Sequence, residues 1–220
     1  MRSTVPLWEK PVLRQAAGET LRPGGFRLTD RAAEVMGLVP GCRVLDVGSG
    51  LGATVGRLRS RFGVEAYGVE SSGQQILRAG SQSGLVQAQG DSLPFQAESF
   101  SAIFCECVFS LFSDPRAGLR EFLRVLEPGG YLALSDLYSQ DAWTSEISSC
   151  AGRAIPFSET REMVESQGFA VCLVEDHTAY LKELAAKLVF AGDEDGQACG
   201  CRRRLGYYLM IAQKKGSQDV

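Results

Sequence analysis

A glycine-rich segment between an apolar run and a helical pattern constrains this chain more than any other feature. The segment, DVGSGLG at residues 46–52, follows the apolar run RVLDV and precedes a helical pattern over 52–61. Alternate glycines allow a tight turn and a close approach of the backbone to a ligand, because no Cβ intervenes. The unpaired N–H groups at the start of the next helix face the same place. The segment therefore predicts a binding loop at the end of a strand.

Strand and helix patterns alternate after this loop. We predict strands over 43–47, 65–69, 85–89, 100–105, 131–135, 169–174 and 206–212. We predict the intervening helices over 52–61, 72–79, 115–126, 159–167 and 177–190, with Ser72, Asp114 and Ser158 at their starts. Such alternation is typical of βαβ units and a mainly parallel sheet.

The first 25 residues differ because they contain several prolines and little periodicity. We expect an irregular arm with one short helix there, followed by a helix that begins at Thr29 or Asp30 and ends near Met36. The domain prediction is an arm over 1–30 that caps the site and a single α/β domain over 31–220.

Composition narrows the expected partners. The 220 residues carry a net charge of −3, which does not indicate a surface for a polyanion, so nucleic acid is not an expected partner. No apolar run reaches the roughly 18 residues of a membrane helix, and no secretory signal is recognisable. The odd number of cysteines, 7, favours thiols over a disulfide framework. We expect a cytoplasmic protein with a small-molecule partner and no resident metal, either monomeric or homodimeric.

Two acidic residues follow the next two strands. Glu70 ends the second strand, and Asp91 follows the third strand in the segment GDSLPF. Ligands of open α/β sheets bind at the carboxyl ends of the strands, where these residues suit the ribose hydroxyls and the adenine amino group of an adenosine. The loop alone also fits a looser dinucleotide fingerprint, Gly48-x-Gly50-x-x-Ala53.

In this order and spacing, the motifs resemble those of the class I S-adenosylmethionine-dependent methyltransferases, including the quinone- and metabolite-methylating branches. The segment LRVLEPGGY at 123–131 resembles their passage from helix to fifth strand. The resemblance implies a Rossmann-like sheet of seven strands, mostly parallel, with helices on both faces and an antiparallel last strand beside the fifth. One departure is Ser101, where many relatives carry an aspartate.

This resemblance implies S-adenosylmethionine as cofactor and a small molecule as methyl acceptor. The predicted cofactor contacts are Asp46, Gly48, Ser49, Gly50, Gly52, Glu70, Ser71, Asp91, Ser92 and Cys105. Glu106 and Asp136 are candidate general bases, needed only if the acceptor holds a proton at neutral pH. The alternatives are a nicotinamide-dependent oxidoreductase and a non-catalytic cofactor-binding or interaction protein.

The cysteines raise a further alternative. The predicted substrate contacts are Cys107, Cys150, Cys199 and Cys201, and thiolates are ligands for soft metals and metalloids. The segments around Cys107 and Cys150 resemble those of the arsenite methyltransferases. This chain departs from that family because 52–62, after the glycine loop, contains no cysteine. Arsenite or another thiophilic metalloid therefore stays open beside an organic acceptor.

Overall fold

A computed structural model describes residues 11–80, 84–140, 154–191 and 204–216. The strands are β1 Arg43–Val47, β2 Glu65–Glu70, β3 Leu85–Gln87, β4 Phe100–Glu106, β5 Leu126–Ser139, β6 Phe169–Asp176 and β7 Leu205–Lys214. The helices are α1 Pro11–Ala17, α2 Phe26–Val35, α3 Ala53–Phe62, α4 Gly73–Ala79, α5 Pro115–Val125, α6 Phe157–Ser166 and α7 Thr178–Phe190.

The strands form a single sheet in the order β3-β2-β1-β4-β5-β7-β6. The pairs β1–β2, β2–β3, β1–β4 and β4–β5 are parallel, and β7 lies antiparallel between β5 and β6. β1 is buried at each residue after Arg43, as expected for a central parallel strand covered on both sides. The predicted mixed sheet, with its antiparallel last strand beside the fifth, is confirmed.

Helices cover both faces of the sheet. On one face α2 and α3 pack through Ala33 and Leu58, and on the other α5 and α6 pack through Phe122 and Val164. The predicted three-layer α/β/α arrangement is therefore confirmed. Among the described residues, the helices lack the length and apolar character needed to span a membrane.

Two predicted helix starts carry the expected caps, and a third does not. The Ser72 hydroxyl accepts the Gln75 N–H at 3.3 Å, and the Asp114 carboxylate accepts the Ala117 N–H at 3.0 Å. The predicted cap at Ser158 is wrong, because α6 already begins at Phe157. The Phe157 ring packs edge-on against Tyr208 with centroids 5.0 Å apart, so tertiary packing overrides the local capping signal.

The longest departure from the predicted elements is β5, which spans Leu126–Ser139 rather than 131–135. Its antiparallel partner β7 pairs with it from Tyr131 to Ser139, a non-local contact that extends the strand past the predicted end. The pairing of β4 with β5 shifts between Phe100 and Ala102, so residues 127–130 form an irregularity within the strand.

The helix after the arm begins earlier than predicted, at Phe26. Leu28 and Thr29 are already fully buried, so α2 belongs to the packed domain and runs through the predicted boundary at 30. Before it, α1 packs on α7 through contacts among Leu13, Leu184 and Leu188.

Candidate functional site

A cavity of about 530 Å³ opens at the carboxyl ends of β1, β2 and β4. We call it the first cavity. Of the residues predicted for the site, its walls contain Asp46, Gly48, Ser49, Gly50, Glu70, Ser71, Asp91, Glu106 and Cys107. Gly52, Ser92, Cys105 and Asp136 do not line it. The structure thus brings the glycine loop and both acidic strand ends to one place.

The glycine loop is fixed on the neighbouring strand. The N–H groups of Gly48 and Ser49 both donate to the Val69 carbonyl, at 2.8 and 2.9 Å. Gly48 has φ +77°, and a Cβ there would lie 2.3 Å from Cγ2 of Val108. Only glycine fits this position, because both the backbone conformation and the space exclude a side chain. Gly52 is not among the lining residues; it precedes α3, and its N–H donates to the Ser49 carbonyl at 2.8 Å.

Glu70 joins the loop to the start of α4. Its carboxylate accepts the Gly50 N–H at 3.0 Å and the Ser72 N–H at 2.8 Å, and the Ser71 hydroxyl lies 3.3 Å from the same group. A carboxylate offers about four acceptor positions, so a ligand hydroxyl can still be received. Glu70 is therefore held in place before any ligand arrives.

The loop that carries Asp91 is anchored from α5. Glu121 accepts the Leu93 N–H at 2.8 Å, and Arg124 donates to the carbonyls of Leu93 and Phe95 at 3.0 and 2.8 Å. Arg124 also pairs with Glu121 and lowers the pKa of that carboxyl. This pair holds the loop so that Asp91 faces the cavity while Ser92 is exposed outside it.

Three buried polar atoms of lining residues have no hydrogen-bond partner among the described residues. They are Nε of Arg22, the Ser49 hydroxyl and the Gln75 carbonyl oxygen. Buried polar groups are nearly always satisfied, so these atoms indicate that the walls are completed by a ligand. Sequence reasoning missed Gln75, since a glutamine on a short helix carries no distinctive signal.

The floor of the first cavity contains two buried acids. Asp46 is 3% exposed and has no hydrogen-bond donor among the described residues. Burial, together with the negative charge of Glu106, raises the pKa of Asp46 to about 8. A cationic group of a ligand would stabilise the ionised form of this carboxyl.

Glu106 is neutralised by a residue that sequence reasoning missed. Nη2 of Arg22 lies 2.6 Å from its carboxylate, and the hydroxyls of Thr29 and Thr54 donate to it at 3.1 and 3.2 Å. The Glu106 carboxylate is thus already occupied by a guanidinium and two hydroxyls, which weighs against Glu106 as the residue that contacts a methyl acceptor. Arg22 lies in the arm, where no pattern distinguishes it from a surface arginine.

Asp136, the other candidate base, lines a second cavity of about 360 Å³ rather than the first. Its carboxylate accepts the Ser110 N–H at 2.8 Å, the Ser110 hydroxyl at 3.1 Å and the Leu137 N–H at 2.7 Å. Burial raises its pKa to about 6, although these hydrogen bonds oppose the shift. The two cavities share Phe112 and Ser113 in their walls.

The described cysteines divide between the cavity and the core. Cys107 lines the first cavity and has φ +60°, an uncommon conformation for a residue with a side chain. Cys105, predicted to contact the cofactor, is instead fully buried in the core on the α5–α6 face, and burial raises the pKa of its thiol. Successive residues of a strand point to opposite faces, so Glu106 reaches the cavity and Cys105 does not. The predicted substrate contacts Cys150, Cys199 and Cys201 lie outside the described residues.

Together, the fold and the first cavity define a Rossmann-like α/β protein with a candidate ligand site at the carboxyl edge of its sheet. Residues 45–134 match the family described as methyltransferase domain. An arsenite methyltransferase of Aquipseudomonas alcaligenes is 30% identical over 84% of this chain and 60% of its own length. A phosphoethanolamine N-methyltransferase of Arabidopsis thaliana is 28% identical over 79% of this chain and 34% of its own. The chain thus spans less than two thirds of these relatives.

Solved structures show the same fold. The crystal structure of the 4+2 cyclase SpnF superposes with a TM-score of 0.79 at 24% identity, covering 94% of this chain and 93% of that one. A Haemonchus contortus phosphoethanolamine N-methyltransferase in complex with S-adenosylmethionine superposes with a TM-score of 0.75 at 19% identity, covering 93% and 56%. Residues 45–134 thus resemble a methyltransferase domain, and the curated relatives that the chain matches here are methyltransferases.

Proposed function

We propose that this protein transfers the methyl group of S-adenosylmethionine to a small-molecule acceptor. The convergence of the glycine loop, Glu70 and Asp91 on the first cavity carries the proposal. Glu70 would hold the ribose, Asp91 would face the adenine, and Asp46 would face the charged end of the cofactor. When bound, the cofactor would supply an electrophilic methyl carbon to an acceptor lone pair, and the carbon–sulfur electron pair would stay with sulfur.

Calorimetric titration with S-adenosylmethionine, S-adenosylhomocysteine and NAD tests the cofactor assignment. We expect micromolar dissociation constants for the first two, about −8 kcal/mol, and no measurable binding of NAD. Glu70→Gln should weaken both by about 10- to 100-fold, because the ribose loses a charged acceptor.

Glu65→Gln is the matched control, since Glu65 is exposed at the opposite end of the same strand. This control should bind like the wild type. Binding of NAD without either adenosyl ligand would instead support a nicotinamide-dependent oxidoreductase. Binding without turnover of any acceptor would support the non-catalytic alternative.

Asp136 is our better candidate for accepting a proton from the acceptor. With a pKa of about 6, it is ionised at neutral pH, and the described residues that line the second cavity include no arginine, lysine or histidine. Glu106 already receives Arg22 and is the weaker candidate.

We propose that the protein works in the cytoplasm and that its acceptor is not a nucleic acid, in keeping with its net charge of −3.

Arsenite is a second candidate acceptor, favoured by the 30% identical arsenite methyltransferase and by Cys107 in the wall of the first cavity. Its thiolate would bind the metalloid beside the methyl donor. Cys107→Ser should abolish arsenite-dependent formation of S-adenosylhomocysteine, while Cys172→Ser, on an exposed residue of β6, should leave it unchanged. Equal turnover in both variants would remove arsenite from consideration.

A further inference from the structure

The second cavity has a fixed wall and room for a small organic molecule. Its volume of about 360 Å³ is within the range of small-molecule sites. Phe112 belongs to the wall that it shares with the first cavity. A Cβ on Gly90 or on Gly118 would lie 2.3 Å from atoms of the Phe112 ring, so these two glycines make the space in which the ring is held.

Aromatic and apolar side chains form most of the lining of the second cavity. Phe109 and Phe112 lie with their ring centroids 5.9 Å apart, and Tyr208 adds a third ring. The Tyr208 hydroxyl is hydrogen-bonded to the Thr160 side chain, so its polar end is already used. The faces of aromatic rings carry partial negative charge and attract cations. The lining therefore suits an apolar body that carries a positive charge.

Asp136 gives the second cavity its charge. It is 1% exposed, and its described donors are backbone N–H groups and the Ser110 hydroxyl, all of them neutral. The other ionisable residue of the described lining is Tyr208, which stays protonated because burial raises its pKa well above the ordinary value. Neutral donors stabilise a carboxylate without cancelling its charge, so a cation brought close to Asp136 would gain Coulomb energy.

The same charge disfavours other classes of ligand. A phosphate or carboxylate group in this cavity would be repelled by Asp136, and the lining residues that the structure describes offer no cation to offset the repulsion. A neutral alcohol gains neither the Coulomb attraction nor the attraction to the rings. Charge therefore distinguishes an ammonium from an alcohol of the same shape.

We propose that the second cavity binds an organic cation with an apolar body and that the methyl acceptor of this protein is accordingly an amine. The inference rests on the proposed function, in which the first cavity holds the methyl donor, and on the wall that the two cavities share.

The proton and electron balance follows from this assignment. An ammonium has no lone pair, so it first gives one proton to the Asp136 carboxylate. The freed nitrogen lone pair forms the bond to the methyl carbon, and the carbon–sulfur electron pair stays with sulfur. The positive charge thus passes from sulfur to the methylated nitrogen.

Three probes with similar apolar bodies and different charges test the proposal. They are 2-phenylethylamine, 2-phenylethanol and 3-phenylpropanoate, titrated by calorimetry into protein saturated with S-adenosylhomocysteine. The amine should bind at least about 10-fold more tightly than the alcohol, and the anion should not bind measurably. With S-adenosylmethionine instead, the amine should be methylated, which is measured as formation of S-adenosylhomocysteine.

Substitutions of Asp136 separate its charge from its structural role. Asp136→Asn removes the charge and should reduce the preference for the amine over the alcohol to about twofold or less. Asp136→Glu restores the charge and should keep a preference above about fivefold. Asp114→Asn is the matched control, since Asp114 caps a helix on the surface outside both cavities. The ratio of two affinities within one protein does not depend on the folded fraction.

Equal binding of amine and alcohol by the wild type would overturn the inference, as would a preference that persists in Asp136→Asn. No binding of the amine at millimolar concentration would overturn it too, and binding without methylation would overturn the assignment of the acceptor. If S-adenosylhomocysteine itself does not bind, the proposed function fails first, so the two failures are distinguishable.

Discussion

The two cavities lie at the same edge of the sheet, yet their buried carboxylates are held differently. In the first cavity, Glu106 is neutralised by Arg22 and Asp46 has no donor among the described residues. In the second, Asp136 is held by backbone and hydroxyl donors from the turn at Ser110 and from Leu137, and the described part of the cavity wall contributes no cation.

This contrast separates binding from chemistry. A site with a fixed cation and an unpartnered acid suits a ligand that brings its own charges, as a zwitterionic cofactor does. A carboxylate held by neutral donors stays ionised near neutral pH and has no cation competing for an incoming proton. The first cavity is therefore suited to hold the cofactor, and the second to receive a proton from the acceptor.

The glycine loop offers the largest expected effect. Gly48→Ala forces a side chain into Val108 at a positive φ, so we expect a cost of about 2 kcal/mol or more in unfolding free energy. Binding of S-adenosylhomocysteine should fall at least about 100-fold. Urea unfolding and calorimetry measure both quantities.

Gly56→Ala is the control for this substitution, since Gly56 is an exposed residue inside α3 with open space at its Cβ position. It should stabilise the protein by about 0.5–1 kcal/mol without altering binding. A tolerated alanine at position 48 would contradict the described geometry of the loop.

The next-largest effect is expected for a substitution of Asp136 in the second cavity. Asp136 is protonated below its pKa of about 6 and cannot then accept a proton, so kcat should rise as the pH increases through that value. Asp136→Asn should lower kcat by about 100-fold or more and remove this limb of the profile. Asp114→Asn, on an exposed helix cap outside both cavities, should leave the profile unchanged. If the limb persists in Asp136→Asn, Asp136 only positions the turn at Ser110.

The smallest effect concerns Asp46. Its carboxyl has a pKa of about 8 and is mostly protonated at pH 7, so a bound cation should lower that pKa and release a proton. Affinity for S-adenosylmethionine should therefore rise with pH between 6 and 7.5, by at most about tenfold per pH unit. Calorimetry in buffers of different ionisation enthalpy counts the released proton, and Asp46→Asn should release none. Identical heats in all buffers for the wild type would refute the linkage.

Much of the first cavity could be predicted because its parts are local. The turn at Gly48 and the acid at Glu70 each follow a strand directly, and parallel strands bring their carboxyl ends to one edge. The burial of Cys105 away from the cavity could also have been predicted, because successive side chains of a strand lie on opposite faces of the sheet and Glu106 follows it. The contacts that decide what Glu106 and Asp136 can do are not local, and they could not be predicted.

The sequence by itself determined the alternating α/β order and the glycine loop with its two acids, because these follow from periodicity, turn chemistry and short-range order along the chain. The antiparallel last strand beside the fifth was implied only by the resemblance to a known family. Only the tertiary structure decided that Arg22 meets Glu106 across 84 positions of chain and that Asp136 faces a different cavity from Asp46. The physical reason is that charge pairing and burial depend on which distant segments pack together, and no local pattern encodes that choice.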